Sequence, residues 1–333
     1  MTGETPETTA RLIHLFAQMA FAAAALTFGV IVASAFMRHT QVGLACADWP
    51  ACYGVFDAGG AEAVPSTAVR LVRIAHRIAA TGVLALIIGL LLVAWTQKPA
   101  WKREGTLAAA ALAIAAALAI LGIATPGARL PAVTLGNLLG GYLMLAVLAA
   151  MVAAAPTADA APSRRWAAGA PLRWLALAVL VLAFAQAALG GSIGAQYALT
   201  ACPTLGKCPG FPFDEFVLSS ALDPFRPLTV ADGRVVPPAD AAAVYLMHRT
   251  FGIVVAVVTL VLAHALRNRD RRMARTLATL ALAAPLAGVA AILVVPSLPL
   301  TVLHNGCAAL LVAALAAAAA RARDSGAPVL ATR

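Results

Sequence analysis

The chain has 333 residues, of which 62% are hydrophobic and 11% are charged, and its mean hydropathy is +0.88. A water-soluble domain cannot cover so much apolar surface, so this composition excludes a soluble globular protein and indicates one that is solvated by lipid. In a chain this apolar, the excess of basic residues behind the net charge of +10 indicates which loops face the cytoplasm. We therefore expect membrane lipid, and no nucleic acid, as a partner.

Eight apolar segments are long enough to cross a bilayer, since a spanning helix needs about 20 residues. Helices are expected because the backbone must satisfy its own hydrogen bonds in hydrocarbon, and the alternating pattern of a membrane β-barrel is absent from the sequence. The sequence therefore predicts an all-α membrane protein with eight transmembrane helices, at residues 12–36, 72–95, 106–124, 132–154, 172–193, 241–266, 273–295 and 299–320.

The basic residues predict which ends of these helices face the cytoplasm. The N-terminal segment MTGETPETTARLIH contains acidic residues and no signal-peptide pattern, so we expect a retained tail. With eight spans, both termini and the turns after helices 2, 4 and 6 share one side, and that side holds 15 of the 24 lysines and arginines. The positive-inside rule places it in the cytoplasm of a bacterial-type inner (plasma) membrane. The long loops 37–71 and 194–240 then lie on the outer face.

The order of features along the chain indicates an internal duplication. Residues 1–154 and 172–333 each contain four predicted helices, and a polar cytoplasmic linker, 155–171, joins them. Each half has a first helix, an outer loop with two cysteines, a helix with a His-Arg pair, and a last helix that begins with Leu-Pro. Such repeats are common in membrane proteins.

Each outer loop contains two cysteines separated by five residues, Cys46 with Cys52 and Cys202 with Cys208. An oxidising compartment favours a disulfide within each pair, which would stiffen the loop. Free thiols, a metal site and a redox-active disulfide are the alternatives, although this spacing is unusual for zinc.

Three of the six histidines are predicted to lie within the membrane. His76, His248 and His304 are each five to eight residues inside the outer end of a helix, about 8–12 Å deep. Ionisable groups at this depth are costly and indicate function. His248 and His304 have matching depths in one half, which suits a haem bound from both faces; a buried structural histidine is the alternative. His14, His39 and His264 lie near helix ends and are expected to be interfacial polar residues.

Two arginines directly follow histidines, Arg77 after His76 and Arg249 after His248. Their guanidinium groups are suited to carboxylates, so haem propionates are candidate partners. The alternative is that both side chains extend to the lipid headgroups.

A specific motif surrounds the first cysteine pair. The residues Arg38-x-Thr40-x-x-Gly43-Leu44-x-Cys46-x-Asp48-Trp49-Pro50-x-Cys52-x-Gly54, followed by a His-Arg helix, resemble the haem A synthase family. The ending Pro299-Leu300-x4-His304-Asn305 is similar as well, and the resemblance runs from Arg38 to Leu315.

The resemblance implies two pseudo-symmetric four-helix bundles with different tasks. The C-terminal half would hold haem b between His248 and His304, and the N-terminal half would bind haem O. The implied activity is an oxidoreductase reaction of cytochrome oxidase biogenesis, which converts a ring methyl of haem O to the formyl group of haem A. A haem O synthase and an electron donor are the implied partners, the oligomeric state is left open, and the cysteine loop would cover a haem pocket.

The sequence departs from the family pattern in the N-terminal half. The family has a glutamate three residues before the first His-Arg pair, and this chain has Arg73. The family also has a second histidine on helix 4, where this chain has Gly136 or Asn137, depending on the alignment. His76 is then the one candidate axial ligand for a substrate haem. An open coordination position suits oxygen activation, but the missing carboxylate removes a proton acceptor.

Three alternatives to an active synthase follow from these features. A catalytically altered relative would bind or deliver haem without oxidising it. A membrane thiol–quinone oxidoreductase would use the outer cysteine pairs. A transporter would explain the duplication, although the sequence lacks the charged residues expected at the middle of the bilayer.

Overall fold

The computed structural model describes residues 6–42, 44, 53–55, 66–97, 101–124, 130–154, 170–202, 208, 219–294 and 297–322. Eight helices in this part of the chain are long and apolar enough to span a membrane, which confirms the predicted fold class. In chain order they are α1 Pro6–Gln41, α2 Thr67–Thr96, α3 Lys102–Ala124, α4 Pro131–Ala154, α5 Ala170–Ala195, α6 Ala241–Leu266, α7 Arg271–Leu293 and α8 Leu298–Arg321.

Several helices extend beyond the predicted apolar segments. The helix α1 was predicted at 12–36 and ends at Gln41, so that Arg38 and His39 belong to its last turn. The helix α2 begins five residues before its predicted start. Hydropathy detects the stretch that contacts lipid, whereas the backbone hydrogen bonds continue through the polar residues that flank it.

Each half of the chain forms a ring of four helices. In the N-terminal half α1 packs on α2, α2 on α3, α3 on α4, and α4 on α1. The C-terminal half has the same neighbour order, with α5 on α6, α6 on α7, α7 on α8, and α8 on α5. This shared order is the one expected of a duplicated four-helix bundle. The halves meet where α4 and α1 pack on α8 and where α4 packs on α5.

Two separate apolar cores stabilise the rings. The N-terminal core contains Phe16, Ile87 and Leu148, and the rings of Phe16 and Trp101 pack edge to face with centroids 5.3 Å apart. The C-terminal core is centred on residues of α6, α7 and α8 such as Leu262, Leu277 and Leu315, and it extends across the interface to Tyr142 of α4.

The described parts of the two long loops contact each other at one end of the bundles, which we call the loop end. The second loop contains a hairpin of β1 (Thr229–Ala231) and β2 (Arg234–Val236). Its turn residues Asp232 and Gly233 both have positive φ, as a tight two-residue hairpin requires. Val55 of the first loop forms a β-bridge with Arg234, and the carbonyl of Gly54 accepts a hydrogen bond from Val235 N at 2.8 Å.

Aromatic packing strengthens this contact between the loops. The rings of Tyr53 and Tyr197 lie 5.9 Å apart, and Tyr53 is buried. Burial raises the pKa of both phenols, so neither ionises at neutral pH. The first and second loops thus form one layer at the loop end.

Candidate haem-binding site

His248 and His304 face each other within the C-terminal ring. His248 lies seven residues after the start of α6, and His304 lies six residues after the start of α8. Their ring centroids are 6.0 Å apart, and the ring planes are at 86°. The helices α6 and α8 therefore bring together the two histidines that sequence reasoning paired.

The environment of His304 sets its tautomer. Its Nδ1 lies 2.7 Å from the carbonyl oxygen of Ala284 on α7. Because a carbonyl only accepts hydrogen bonds, Nδ1 carries the proton and Nε2 keeps its lone pair. This is the usual arrangement of a histidine that binds a metal ion through Nε2. Gly288, one turn after Ala284, gives the ring room, since a Cβ there would lie 3.0 Å from His304 Nδ1.

His248 is held by a polar side chain of α5. The amide Nε2 of Gln186 lies 3.0 Å from His248 Nδ1 and donates to the carbonyl oxygen of His248 at 2.9 Å. Gly190, one turn after Gln186, makes room for this ring, because a Cβ there would lie 2.7 Å from His248 Cε1. Each histidine thus lies beside a hydrogen-bonding residue and a glycine spaced one turn apart on a neighbouring helix.

This geometry fits an iron porphyrin bound from both faces. A metal ion about 2 Å from one nitrogen of each imidazole places the two ring centres roughly 6 Å apart. Among the described residues, no three His, Cys, Asp or Glu side chains cluster as ligands of a metal ion. In the arrangement observed, Gln186 Nε2 donates to His248 Nδ1, which keeps the ring proton on Nε2. The Gln186 Oε1 atom is buried and has no hydrogen-bond partner among the described residues.

Arg249 lies against the second loop. Its guanidinium approaches the Sγ of Cys208 at 3.7 Å and the carbonyl oxygen of Cys202 at 3.5 Å, and it stacks 4.5 Å from the ring centroid of Tyr245. Cys202 and Cys208 form the disulfide predicted for this loop. Cys46 and Cys52 lie outside the described residues, so the disulfide predicted for the first loop stays a prediction.

The N-terminal ring has one histidine in the corresponding place. His76 of α2 is hydrogen-bonded through Nε2 to Ser34 Oγ of α1 at 3.0 Å. Arg73 is partly exposed and Arg77 is exposed. Neither guanidinium makes a hydrogen bond or ion pair with a described residue. The predicted site residues of this half therefore lie along α2, with a hydroxyl from α1 as their neighbour.

Leucines of α3 pack against the part of α4 where the family pattern has a second histidine. A Cβ at Gly136 would lie 3.1 Å from Leu121 Cδ1, and one at Gly140 would lie 2.7 Å from Leu118 Cδ2. The glycines of α4 thus accommodate apolar side chains of α3, whereas Gly190 and Gly288 of the other ring accommodate imidazoles.

A polar cluster joins the two rings beside His304, and sequence reasoning missed it. Arg38 Nη2 donates to the side-chain Oδ1 of Asn305 at 3.5 Å. The backbone carbonyl oxygen of Asn305 accepts a hydrogen bond from Tyr142 Oη at 3.0 Å. Its Nδ2 lies 3.5 Å from His39 Nε2. His39, expected to be an interfacial residue, is only 6% exposed. The available signal was the adjacency of Asn305 to His304 in the family motif.

An ion pair fastens the second loop to the start of α6. Two nitrogens of Arg226 each lie 2.8 Å from an oxygen of Asp240, and Arg226 also donates to Ser220 Oγ at 2.7 Å. Burial alone would raise the pKa of the Asp240 carboxyl, but the hydrogen bonds from Arg226 and Ser220 and the charge of Arg226 outweigh burial and lower that pKa. The carboxylate therefore stays ionised at neutral pH.

Comparison with known proteins identifies the family of this chain. A sequence model of the cytochrome oxidase assembly protein family matches residues 17–316, which include both rings and both long loops. The Heme A synthase of Shewanella oneidensis is 27% identical over 305 residues, which cover 87% of this chain and 91% of that protein. The part of the chain that the family model matches includes the Asp-Trp-Pro loop, both His-Arg helices and most of the last helix. The chain is therefore a multi-pass membrane protein of the cytochrome oxidase assembly family, the family of haem A synthase.

Proposed function

We propose that this chain is a haem A synthase-type oxidoreductase of cytochrome oxidase biogenesis, which oxidises a ring methyl of haem O to the formyl group of haem A. The observation that carries the proposal is the pair of opposed imidazoles, His248 and His304, at 6.0 Å. Membership of the cytochrome oxidase assembly family and the likeness to a protein named Heme A synthase support it.

His248 and His304 would hold a resident haem b, which supplies one-electron transfer when bound. His304 already presents an unprotonated Nε2, because its Nδ1–H donates to Ala284. His248 needs its ring proton on Nδ1, so that Nε2 is left to the metal. The Gln186 amide would have to turn so that its free Oε1 accepts this proton, and it would then give up the 2.9 Å hydrogen bond from Nε2 to the carbonyl oxygen of His248. The side chain of Gln186 has room beside Gly252, where a Cβ would lie 2.9 Å from Gln186 Nε2.

The substrate haem O would be bound in the N-terminal ring, with His76 as its axial ligand. Ser34 orients the His76 ring through the 3.0 Å hydrogen bond and must give up that contact when Nε2 binds a metal. Arg73 and Arg77 on the same helix supply positive charge for propionates, and Arg249 supplies it for the resident haem. The loop end would face the outside, with both termini in the cytoplasm of a bacterial plasma membrane.

A second candidate function rests on the N-terminal ring. Arg73 stands where the family has a glutamate, and α4 has Gly136 and Asn137 where a second histidine is expected. An arginine does not accept protons at neutral pH, so this half lacks the family's candidate base. Under this alternative the chain binds or delivers haem and leaves its methyl group unoxidised.

The first experiment tests haem binding. The purified full chain from haem-replete cells is expected to show a low-spin b-type absorption spectrum after dithionite reduction, and His248→Ala and His304→Ala are expected to abolish it. A colourless wild-type protein would contradict the proposal. It would favour the thiol–quinone alternative if removal of the cysteine pairs then abolished a quinone reductase activity.

The second experiment separates the synthase from the altered relative. The chain is co-expressed with a haem O synthase in cells that make no haem A, and extracted haems are separated by chromatography and mass spectrometry. Haem A in cells that contain this chain, and none in cells with the empty vector, supports the synthase. Haem O alone, together with an intact b-type spectrum, supports the relative that binds haem without oxidising it.

A further inference from the structure

We infer that Arg38 and His39, on the last turn of α1, form a carboxylate-binding site for the porphyrin held by the other half of the protein. The inference rests on the proposed binding of haem between His248 and His304. It assigns one propionate of that haem to residues of the N-terminal ring. The C-terminal haem site would then be incomplete without α1.

The position of His39 relative to α5 supports this assignment. Gly190 faces His248, and Gly194, one turn further along α5, faces His39, since a Cβ there would lie 4.0 Å from His39 Cε1. Residues four apart share a face of a helix and are separated by about 6 Å along its axis. His39 therefore lies about one turn from His248, towards the loop end, where the polar edge of a porphyrin would face.

The position of His304 on α8 leads to the same place. Asn305 directly follows His304, and it is the residue that Arg38 and His39 both approach, at 3.5 Å each. Tyr142 of α4 and the carbonyl of Thr301 fix Asn305 from other sides, at 3.0 and 2.9 Å. From α1, His39 thus lies next to both α5 and α8, and Arg38 lies next to α8, beside the residue that follows His304.

The charge in this place lacks a counter-ion among the described residues. Arg38 makes no ion pair with any described Asp or Glu, and its hydrogen bond to Asn305 is long for a guanidinium donor. The Nδ1 atom of His39 is buried and has no hydrogen-bond partner among the described residues. An unpaired cation and an unpaired imidazole nitrogen are costly between membrane-spanning helices. A carboxylate bound there would satisfy both groups.

The test compares two porphyrins that differ only in this carboxylate chemistry. Full-length protein from haem-limited cells is titrated with iron protoporphyrin IX and with its dimethyl ester, followed by the Soret band. The His248→Ala variant identifies the part of the titration that belongs to the histidine pair. Wild-type protein is expected to prefer the free acid. Arg38→Gln is expected to reduce that preference by about tenfold or more, because it removes a charge-assisted hydrogen bond to the carboxylate.

Three variants sharpen the result. Arg38→Lys keeps the charge and is expected to retain part of the preference, whereas His39→Leu is expected to reduce it. Arg11→Gln is the matched control, because Arg11 lies on the same helix, is exposed and pairs with Glu7 at 2.7 Å; its preference should equal that of the wild type. If Arg38→Gln discriminates between the two porphyrins as well as the wild type does, the inference is wrong although haem binding stands. If neither porphyrin binds to the wild type, the proposed function itself fails.

Discussion

The two rings of this protein have the same helix order but surround different chemistry. In the C-terminal ring, α6 and α8 each contribute a histidine, and the two imidazoles are 6.0 Å apart. In the N-terminal ring, α2 contributes His76, and α4 has Gly136 and Asn137 where the family pattern has a second histidine. The scaffold alone therefore does not specify a haem site with two protein ligands; the residues that line each ring decide it.

Small residues show how each ring is adapted. Gly190 and Gly288 leave space for the imidazoles of His248 and His304, whereas Gly136 and Gly140 leave space for Leu121 and Leu118. The C-terminal ring is thus shaped around two imidazole side chains. The N-terminal ring has leucines of α3 packed against the glycines of α4, and the polar neighbour of His76 on α2 is Ser34 of α1. This difference suits a resident cofactor in one ring and an exchangeable substrate in the other.

The largest effect is expected from removing single imidazoles. His248→Ala and His304→Ala should each abolish the low-spin b-type spectrum, because one axial ligand does not hold a six-coordinate low-spin haem. His76→Ala should leave that spectrum intact and abolish haem A formation. The control is His264→Ala, which changes an exposed histidine near the opposite end of α6. Loss of the b-type spectrum in His76→Ala would show that the rings do not divide the two tasks in this way.

The next effect concerns the charge beside His76. Replacement of Arg73 by glutamate supplies a carboxylate three residues before His76, and Arg77 remains as a cation for the propionates. The variant should raise the initial rate of haem A formation about a hundredfold, in the range typical of general acid–base catalysis. Arg70→Glu is the matched control, since Arg70 is exposed one turn earlier on α2. Equal initial rates from Arg73→Glu and the wild type would mean that the N-terminal ring does not need a carboxylate at this position.

A smaller effect is expected from the glycines that face the imidazoles. Gly190→Ala and Gly288→Ala place a methyl group 2.7 and 3.0 Å from ring atoms of His248 and His304, so the rings must shift. Overpacking of this kind costs about 1–3 kcal/mol, which corresponds to a loss of haem affinity of about 5- to 150-fold if the shifted rings bear the whole cost. Gly122→Ala has nothing within 4 Å of its Cβ and should leave haem affinity unchanged. A loss of affinity in all three variants would indicate general destabilisation instead.

The fold could be predicted from the sequence because lipid makes a simple demand on composition. Eight uninterrupted apolar segments are detectable without knowledge of packing, and all eight are helices in the structure. The pairing of His248 with His304 could be predicted too, because both lie at nearly the same distance from the start of a helix. The predicted positions of the helix ends are less accurate than the number of helices. Arg38 and His39, for example, belong to α1 although they lie beyond the predicted segment, because a helix can continue through polar residues that flank the apolar stretch.

The neighbours of the histidines could not be predicted, because they come from other helices. Gln186 lies 62 residues before His248, and Ala284 contributes a backbone carbonyl, which has no side-chain signature. His39 and Asn305 are in contact although 266 positions separate them in the sequence, so the burial of His39 depends on how the two rings pack. Periodicity reports one helix at a time, whereas these contacts depend on which helix faces which.

A modest pH effect is expected at the second loop. The lowered pKa of Asp240 means that its ion pair with Arg226 stabilises the loop at neutral pH. This stabilisation is lost as the pH falls through the folded-state pKa, which lies below the ordinary pKa of an aspartate. Arg226 stays charged throughout, so Asp240→Asn should remove this dependence. Hydrogen exchange of the backbone amides of residues 229–240 between pH 3 and 6, corrected for intrinsic exchange rates, measures this pH dependence of loop stability. Equal pH dependence of exchange in the variant and the wild type would exclude this ion pair as the cause.

The smallest effect on haem chemistry is expected from removal of the Cys202–Cys208 disulfide. This variant compares the contribution of the second loop with that of the helix rings. Cys202→Ser with Cys208→Ser removes a bond that closes a ring of few residues, so the second loop should become more susceptible to proteolysis. Haem content and haem A yield should stay within about twofold of the wild type, because Arg249 can still stack on Tyr245 and the iron ligands come from α6 and α8. Abolished activity with full haem content would instead show that the disulfide exchanges electrons, as the thiol–quinone alternative requires. The loop end would then be the reactive part of the molecule, and the two histidine sites below it would be accessory.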